Sequence, residues 1–359
     1  MYRRHFTSII LLSFPDYVPE FSCKCGACRT TCCRGWKVSL SQEEYFRVSA
    51  LRCHALVHRI SSALEEDPEA HEEGLYAHFT KTADGSCTLL DPDGLCALHR
   101  NAGPDALPRI CRLYPRAVRM GSHPEISCST GCEKTVELLA ASTEPLRIVT
   151  AEREYDGICP DPYPDAERRD ALRREVHSLL SDRSRTLMER FAALNTLLPG
   201  SGSALDCNDR TMLATARRFI EHFRASSPSL ARFGAEASAL FIRTDGADPV
   251  TRFLAGEEFA SQLIPGFESL CEKMLVNHVF YEQFPFPFED RGACAGAETL
   301  FAAASLLRVA ATASVCRAAE KGDDPLTAMV DAASAVFRFT EHTDFYHNAA
   351  ILMAHPADN

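Results

Sequence analysis

From Ala166 onward, apolar residues return every three to four positions, the spacing of helices that bury one face. Segments 166–182, 184–198, 208–224, 228–241, 253–283, 296–320 and 325–353 have helical length and are rich in Ala, Leu, Glu and Arg. Breaks fall at Pro199-Gly200, Ser227-Pro228, Pro285-Phe286-Pro287 and Asp324-Pro325, where proline or glycine interrupts the pattern. No alternation of period two marks a sheet in this half. The earlier part reads as short elements. The apolar run Phe6 to Phe14 predicts a short strand, closed by Pro15-Asp16-Tyr17. Ser41 followed by Glu44 predicts a capping box opening a helix that runs to about residue 65, before Asp67-Pro68. Asp93-Gly94 is a turn signal between short apolar arms, setting Cys87 opposite Cys96 across a hairpin-like loop. Glu133 to Ala141 has helical composition, and Pro145, Pro160, Pro162 and Pro164 punctuate the stretch after it. The expected fold is therefore mainly α: a loop-rich, cysteine-rich region over 1–142, a Pro-rich linker over 143–165 and an all-α helical domain over 166–359.

Length and charge narrow the class. A chain of 359 residues is long enough for about two domains and buries a core without cross-links. A formal net charge of -11 lacks the basic face that phosphates demand, so no nucleic-acid partner is expected. Arg3-Arg4-His5 ahead of Phe6 gives the start a superficial likeness to an export leader, but no small-x-small cleavage site follows. Nothing else approaches the roughly 18 apolar residues of a membrane span, and no membrane partner is expected. The expected location is the reducing cytoplasm, where thiols stay free or bind metal.

Cysteine use changes the picture most. Eleven of sixteen cysteines lie within the first 132 residues. Cys23, Cys25, Cys28, Cys32 and Cys33 fall within eleven residues, followed by the lone tryptophan, Trp36. Packing alone does not call for that density, since a free buried cysteine is only a small hydrophobe. Thiolates select soft metals, zinc or iron–sulfur clusters. Cys25-x-x-Cys28 has the spacing of one half of a zinc site, whereas adjacent Cys32 and Cys33 suit a single tetrahedral ion poorly. Cys87, Cys96, Cys111 and Cys132 add more thiols than one zinc needs. One four-thiolate cluster with spare cysteines, or two metal sites, fits the count; a zinc-stabilised loop domain is the simpler alternative. Cys53, Cys159, Cys207, Cys271, Cys294 and Cys316 are isolated and read as small buried residues. Trp36 either shields a metal from water or packs in a core. Arg112 and Arg116 either bond an anionic group or form a solvated pair. Glu272, Asn277 and His278 read as polar positions on one helix, and Glu341-His342 and His347-Asn348 as positions on the last. Gly200 and Gly202 follow a helix rather than a strand, so a dinucleotide loop fails its context and the stretch reads as a helix–helix connection.

Several stretches together are similar to the flagellin lysine-N-methylase family of the FliB type. They are Pro15-Asp16-Tyr17, Cys23 to Cys28, Cys32-Cys33-x-Gly35-Trp36, Asp93-Gly94-Leu95-Cys96 and Cys111-Arg112-x-Tyr114-Pro115-Arg116. The likeness returns at Cys271-Glu272, Asn277-His278, Phe284-Pro285-Phe286 and Phe337-Arg338-Phe339-Thr340-Glu341-His342. Its front half is shared with a broader family of small zinc- or iron-chelating proteins. The resemblance implies a transferase that methylates lysine side chains of flagellin from S-adenosylmethionine, with an iron–sulfur cluster, 4Fe–4S, on the N-terminal thiols. Carried over position by position, the implied ligands are Cys23, Cys28, Cys32, Cys33, Cys87, Cys96, Cys111 and Cys132. Cys25, Cys53 and Cys128 are extra to that pattern. Thr343 stands where the family has Asn, so neither Glu341 nor His342 is given a role. Catalytic and donor-binding residues are not assigned. The competing reading is a non-catalytic iron- or zinc-binding protein, which leaves the long helical half without a purpose.

Overall fold

The structure is a computed structural model that describes residues 8–69, 75–155, 162–200, 205–241, 248–287 and 295–354. It is mainly α and divides into two compact units. The larger takes the chain up to Phe21 and from Arg116 on; the smaller is Ser22–Pro115.

The larger unit holds a four-stranded sheet. Strand β1 (Ser8–Pro15) lies inside it, as its Ile-Ile-Leu-Leu run suits. In the smaller unit, β2 (Ser39–Leu40), β3 (Leu64–Glu66) and β4 (Ala77–Phe79) form a second sheet of order β2-β4-β3. Back in the larger unit, β5 (Arg116–Met120) and β6 (Pro124–Cys128) form an antiparallel hairpin. Strand β6 runs parallel to β1, with Ser13 opposite Glu125. Strand β7 (Ile148–Tyr155) runs antiparallel to β1, from Ser8 opposite Tyr155 to Pro15 opposite Ile148.

These pairings redraw the expected division at 142. Backbone hydrogen bonds tie β6 and β7 to β1 and β5 to β6, and Ile148–Tyr155 of the expected linker is a strand. The prolines that suggested a linker flank β7 rather than occupy it, where each would have removed a ladder donor. Residues 156–161 lie outside the described residues.

The smaller unit carries α1 (Gln42–Ser49), α2 (Val57–Ala63), α3 (Ala97–Ala102) and α4 (Arg109–Leu113) around a core of Leu40, Val48, Leu56, Ile60, Phe79 and Leu98. Ser41 and Glu44 form the expected capping box. The single helix expected to about residue 65 is instead broken after Ser49, and Leu64–Glu66 continues as β3 because it finds a partner strand in β4.

Helices α5 (Glu133–Ala140), α6 (Ala166–Leu180), α7 (Leu187–Leu197), α8 (Asp209–Phe223) and α9 (Pro228–Phe241) follow the periodicity closely. The expected helix over 253–283 is two, α10 (Pro249–Leu263) and α11 (Phe267–Tyr281), parted at Pro265-Gly266 where Gly266 takes φ 79°. Helix α12 (Ala297–Lys321) is the core of this unit. By length and composition it could cross a membrane, against the expectation that no such segment follows the N-terminus, yet 94% of its apolar window is buried inside the protein. Its alanines let α8, α9, α10 and α13 (Pro325–Glu341) approach closely. The last expected helix also divides, into α13 and α14 (Phe345–Ala354).

Candidate metal centre and a buried polar network

In the smaller unit, three loop segments bring thiols toward one another. Cys33 carbonyl accepts from Cys87 N at 2.7 Å, and Gly35 N donates to Gly85 O at 3.3 Å, so the 33–35 segment runs beside 85–87. Asp91 N donates to Leu95 O at 2.8 Å, closing the turn that the Asp93-Gly94 signal predicted, but Cys96 lies opposite Leu90 and Cys87 opposite Lys81, so the two cysteines are not the expected pair across it. Arg59 of α2 holds this loop from inside, donating to Thr88 O and Leu90 O at 3.0 Å each and to Asp91 Oδ1 at 2.5 Å. The 25–28 turn packs on it glycine against glycine: a Cβ on Gly26 would lie 2.8 Å from Asp93 O. Glu44 places α4, and with it Cys111, by accepting from Arg109 N at 2.6 Å.

Electrostatics show which thiols meet. Cys33 is the hub, held down at about 7 by its hydrogen bond with Cys32. Cys32 is pushed far up by the same bond, by burial, and by Cys33, Cys23 and Cys111. Burial pushes Cys87 up to about 11, with Cys33 and Cys96 adding to it. Cys96 is raised by burial and by Cys33; Cys111 by burial, Cys33, Cys96 and Cys87. Six of the eight expected ligands, Cys23, Cys32, Cys33, Cys87, Cys96 and Cys111, thus feel one another's charge. Among the described residues, no three Cys, His, Asp or Glu side chains are gathered tightly enough to grip an ion as they stand. The donor chemistry nonetheless fits a soft metal: crowded thiols resist ionising together until a cation offsets their mutual repulsion.

The remaining cysteines separate cleanly. Cys28 closes the short turn Cys25–Ala27 in the same unit. Cys25 is exposed, with φ 52°, and its nearest charge neighbour is Cys23. Cys132 belongs to the larger unit, at the N-cap of α5 and packed on that unit's core, where its charge reaches Cys128. Cys53 packs on the small core, Cys271 and Cys316 are buried and Cys207 is half-buried, as isolated cysteines should be. Cys159 and Cys294 lie outside the described residues. Trp36 packs on the small core and meets Tyr114 edge-on, ring centroids 4.8 Å apart. Arg116 donates to Phe21 O at 3.1 Å and covers the Phe21 ring, while Arg112 is exposed.

The larger unit contains a second constellation that sequence spacing did not reveal. Glu341, at the end of α13, accepts from Ser129 Oγ at 2.5 Å and from Gly131 N at 3.3 Å, and meets His278 Nδ1 of α11 at 3.0 Å. Tyr346 OH of α14 meets the other imidazole nitrogen at 2.8 Å. His342 Nε2 reaches Ser129 Oγ at 3.2 Å. One residue earlier on α11, Asn277 accepts from Tyr17 OH at 2.7 Å and donates to Cys128 O at 3.0 Å and Thr130 Oγ1 at 2.8 Å. Gly131 is required here: a Cβ would stand 3.0 Å from both Arg338 Cγ and Ser129 Oγ. The side chains of His278 and Glu341 are both 0% exposed. So sealed, the network clamps the 129–131 loop to three helices. Burial raises Tyr17 and Tyr346 well above the usual phenol range, so both remain hydrogen-bond donors. Glu272, also on α11, belongs elsewhere, accepting from Arg183 and Arg190.

Comparison with known proteins bears on the thiol-rich part. Residues 24–152 match the model of the CxxCxxCC family, described as a "putative zinc- or iron-chelating domain". Over 112 residues the chain is similar to lysine-N-methylases. It is 34% identical over 112 residues to the lysine-N-methylase of Salmonella choleraesuis (strain SC-B67) and 33% to that of Salmonella typhimurium (strain LT2), each match covering 30% of this chain. The flagellar biosynthetic protein FliU of Salmonella muenchen is 31% identical over the same length. The matches span 27% of each lysine-N-methylase and 63% of FliU. No solved structure matches.

Proposed function

We propose that this protein is a lysine N-methyltransferase that acts on flagellin in the cytoplasm, takes its methyl group from S-adenosylmethionine and carries a thiol-bound iron–sulfur cluster of the 4Fe–4S type. The observation that carries the reading is the grouping of six thiols, with Cys32, Cys87, Cys96 and Cys111 around Cys33 and Cys23 beside Cys32, in a chain part of which is similar to lysine-N-methylases. Cys23, Cys32, Cys33, Cys87, Cys96 and Cys111 are the residues that would hold the metal, with Cys28 on the adjoining turn. When bound, the metal supplies the positive charge that lets several of these thiols ionise together. Transfer from a sulfonium to lysine is an in-line displacement by a neutral amine. The protein must therefore strip the ammonium proton, align the nitrogen with the methyl carbon and exclude water.

Anaerobically prepared, metal-loaded protein is expected to move labelled methyl from S-adenosylmethionine onto lysines of purified flagellin; no incorporation would overturn the reading. The same preparation is expected to be brown and to contain acid-labile sulfide. Colourless protein with stoichiometric zinc would replace the cluster by a structural zinc site. The match of residues 24–152 to a chelating domain favours one other reading, a non-catalytic metal-binding protein. Metal retention without methyl transfer is its signature.

A further inference from the structure

Within the larger unit, a cavity of about 330 Å³ is walled by the four-stranded sheet, α6 and α11. Its size falls in the usual range of small-molecule sites, roughly 300–1,000 Å³. None of the thiols and none of the Glu341 network lines it.

The charges on its walls are unequal. Glu125 of β6 and Asp170 of α6 share one guanidinium, that of Arg173, at 2.7 Å and 3.0 Å. All three are buried, being 7%, 7% and 9% exposed. Burial pushes the Asp170 carboxyl up, but the bonds from Ser122 and Arg173 outweigh it and hold the group below its ordinary range. Ser122 N and Gln283 Nε2 supply further hydrogen bonds to the two carboxylates, but they carry no charge, so two carboxylates against one guanidinium keep a net negative charge that favours a cation beside them.

The opposite sign stands one helical turn away. Asp170, Arg173, Arg174 and His177 follow the i, i+3, i+4, i+7 spacing, so one stripe of α6 lines the cavity. Arg174 is exposed and forms no ion pair among the described residues. His177 Nε2 is buried without a hydrogen-bond partner. Hydroxyls complete the polar lining: Thr150 and Ser13 bond each other at 2.6 Å, and Ser13 bonds His123 Nε2 at 2.6 Å. Ile148, Val279 and Phe280 supply an apolar wall.

We propose that this cavity binds an α-amino-acid zwitterion, its ammonium against the Glu125–Arg173–Asp170 cluster, its carboxylate toward Arg174 and His177, and its side chain along the apolar wall. A simple cation would leave Arg174 and His177 unused, and a simple anion would meet the excess carboxylate. Resting on the methyl-transfer reading, the zwitterion is the methionyl end of the methyl donor.

The test is calorimetric titration of the full-length, metal-loaded protein with L-methionine and with S-adenosylhomocysteine, and with adenosine as a control. Both zwitterions are expected to bind, with adenosine at least tenfold weaker than S-adenosylhomocysteine. Arg174→Ala is expected to weaken both zwitterions about tenfold, and Arg174→Lys to recover part of that loss. Far-UV circular dichroism checks that the variants keep their helices, which the exposure of Arg174 favours. If S-adenosylhomocysteine binds equally well to wild type and Arg174→Ala, the cavity assignment is overturned while methyl transfer stands. If methionine binding depends on Arg174 but no methyl is transferred to flagellin, the cavity assignment stands and the methyl-transfer reading falls. If neither zwitterion binds, the assignment is overturned.

Discussion

In the smaller unit, six thiols lie near enough to feel one another's charge; Cys32, Cys87, Cys96 and Cys111 are made harder to ionise, and the hydrogen-bonded Cys33 is not. In the larger unit, the Glu341 carboxylate is met by a hydroxyl, backbone N–H groups and an imidazole, and that imidazole is met in turn by a phenol. Both are clusters of chemistry-bearing side chains drawn from distant parts of the chain. They differ in what completes them. The carboxylate network is satisfied by the protein's own groups and sealed from water, so it acts as a structural clamp. The thiols are held in place by loop backbone and have one nearby guanidinium, Arg59, against their mutual repulsion, so a soft cation would complete the charge balance. A cluster of reactive residues is a candidate site to the extent that the protein leaves it incomplete.

The sharpest way to break this contrast is to leave the satisfied network with a hole. Glu341→Ala removes one buried hydrogen-bond partner each from Ser129, His278 and the Thr130 and Gly131 N–H groups, and is expected to cost the larger unit on the order of 3 kcal/mol, read as a lowered denaturant midpoint. An unchanged midpoint would mean the network is not a clamp. The smaller unit is expected to respond instead to its metal. Chelation or Cys33→Ser should lower its melting temperature and empty it of metal, leaving the larger unit's transition in place, whereas Cys207→Ser keeps full metal content. Equal metal loss in the two variants would show that the thiols have been partitioned wrongly. Gly26→Ala should have an intermediate effect, reducing metal retention several-fold, since its Cβ would press the 25–28 turn away from Asp93.

A pH series sharpens the comparison from the other side. Burial lowers His177 and His342 from the ordinary value of 6.5, with Arg173 adding to the first and Arg338 and Arg119 to the second, against Glu341. Groups held neutral in the fold but free to charge when unfolded make the unfolded state bind more protons at low pH. The larger unit's stability is therefore fully present above about pH 6.5 and declines as the pH falls below it, and His177→Gln is expected to flatten part of that decline. A flat profile from pH 7 to 5.5 would contradict the burial of these imidazoles. The smallest effect is expected at the exposed Arg217–Glu221 pair, where Arg217→Ala should shift stability by about 0.5 kcal/mol or less.

Helices were legible because their signals are local. The capping residues Ser41, Thr186 and Asp324 and the 3.6 spacing lie within a turn or two of the elements they define. Strand β7 was not, because a strand is defined by a partner, and its partner β1 lies more than a hundred residues earlier. The same reasoning separates the two clusters. Thiol density between Cys23 and Cys33 announced soft-metal chemistry at once, since no packing need explains it. Ser129, His278, Glu341 and Tyr346 carry no spacing that links them, and each alone reads as an ordinary polar position.

By itself, then, the amino-acid sequence determined the mainly helical class, helix starts marked by caps such as Ser41, and the clustering of thiols, all properties that residues carry within short windows. Tertiary structure decided the rest. It grouped 116–155 with the helices by pairing β6 and β7 with β1 and β5 with β6, and it placed Cys132 in one unit and its seven expected partners in the other. It also built the cavity beside α6 from strands and helices that meet only in space. Pairing, burial and charge balance depend on neighbours that folding brings together, and no local pattern encodes them.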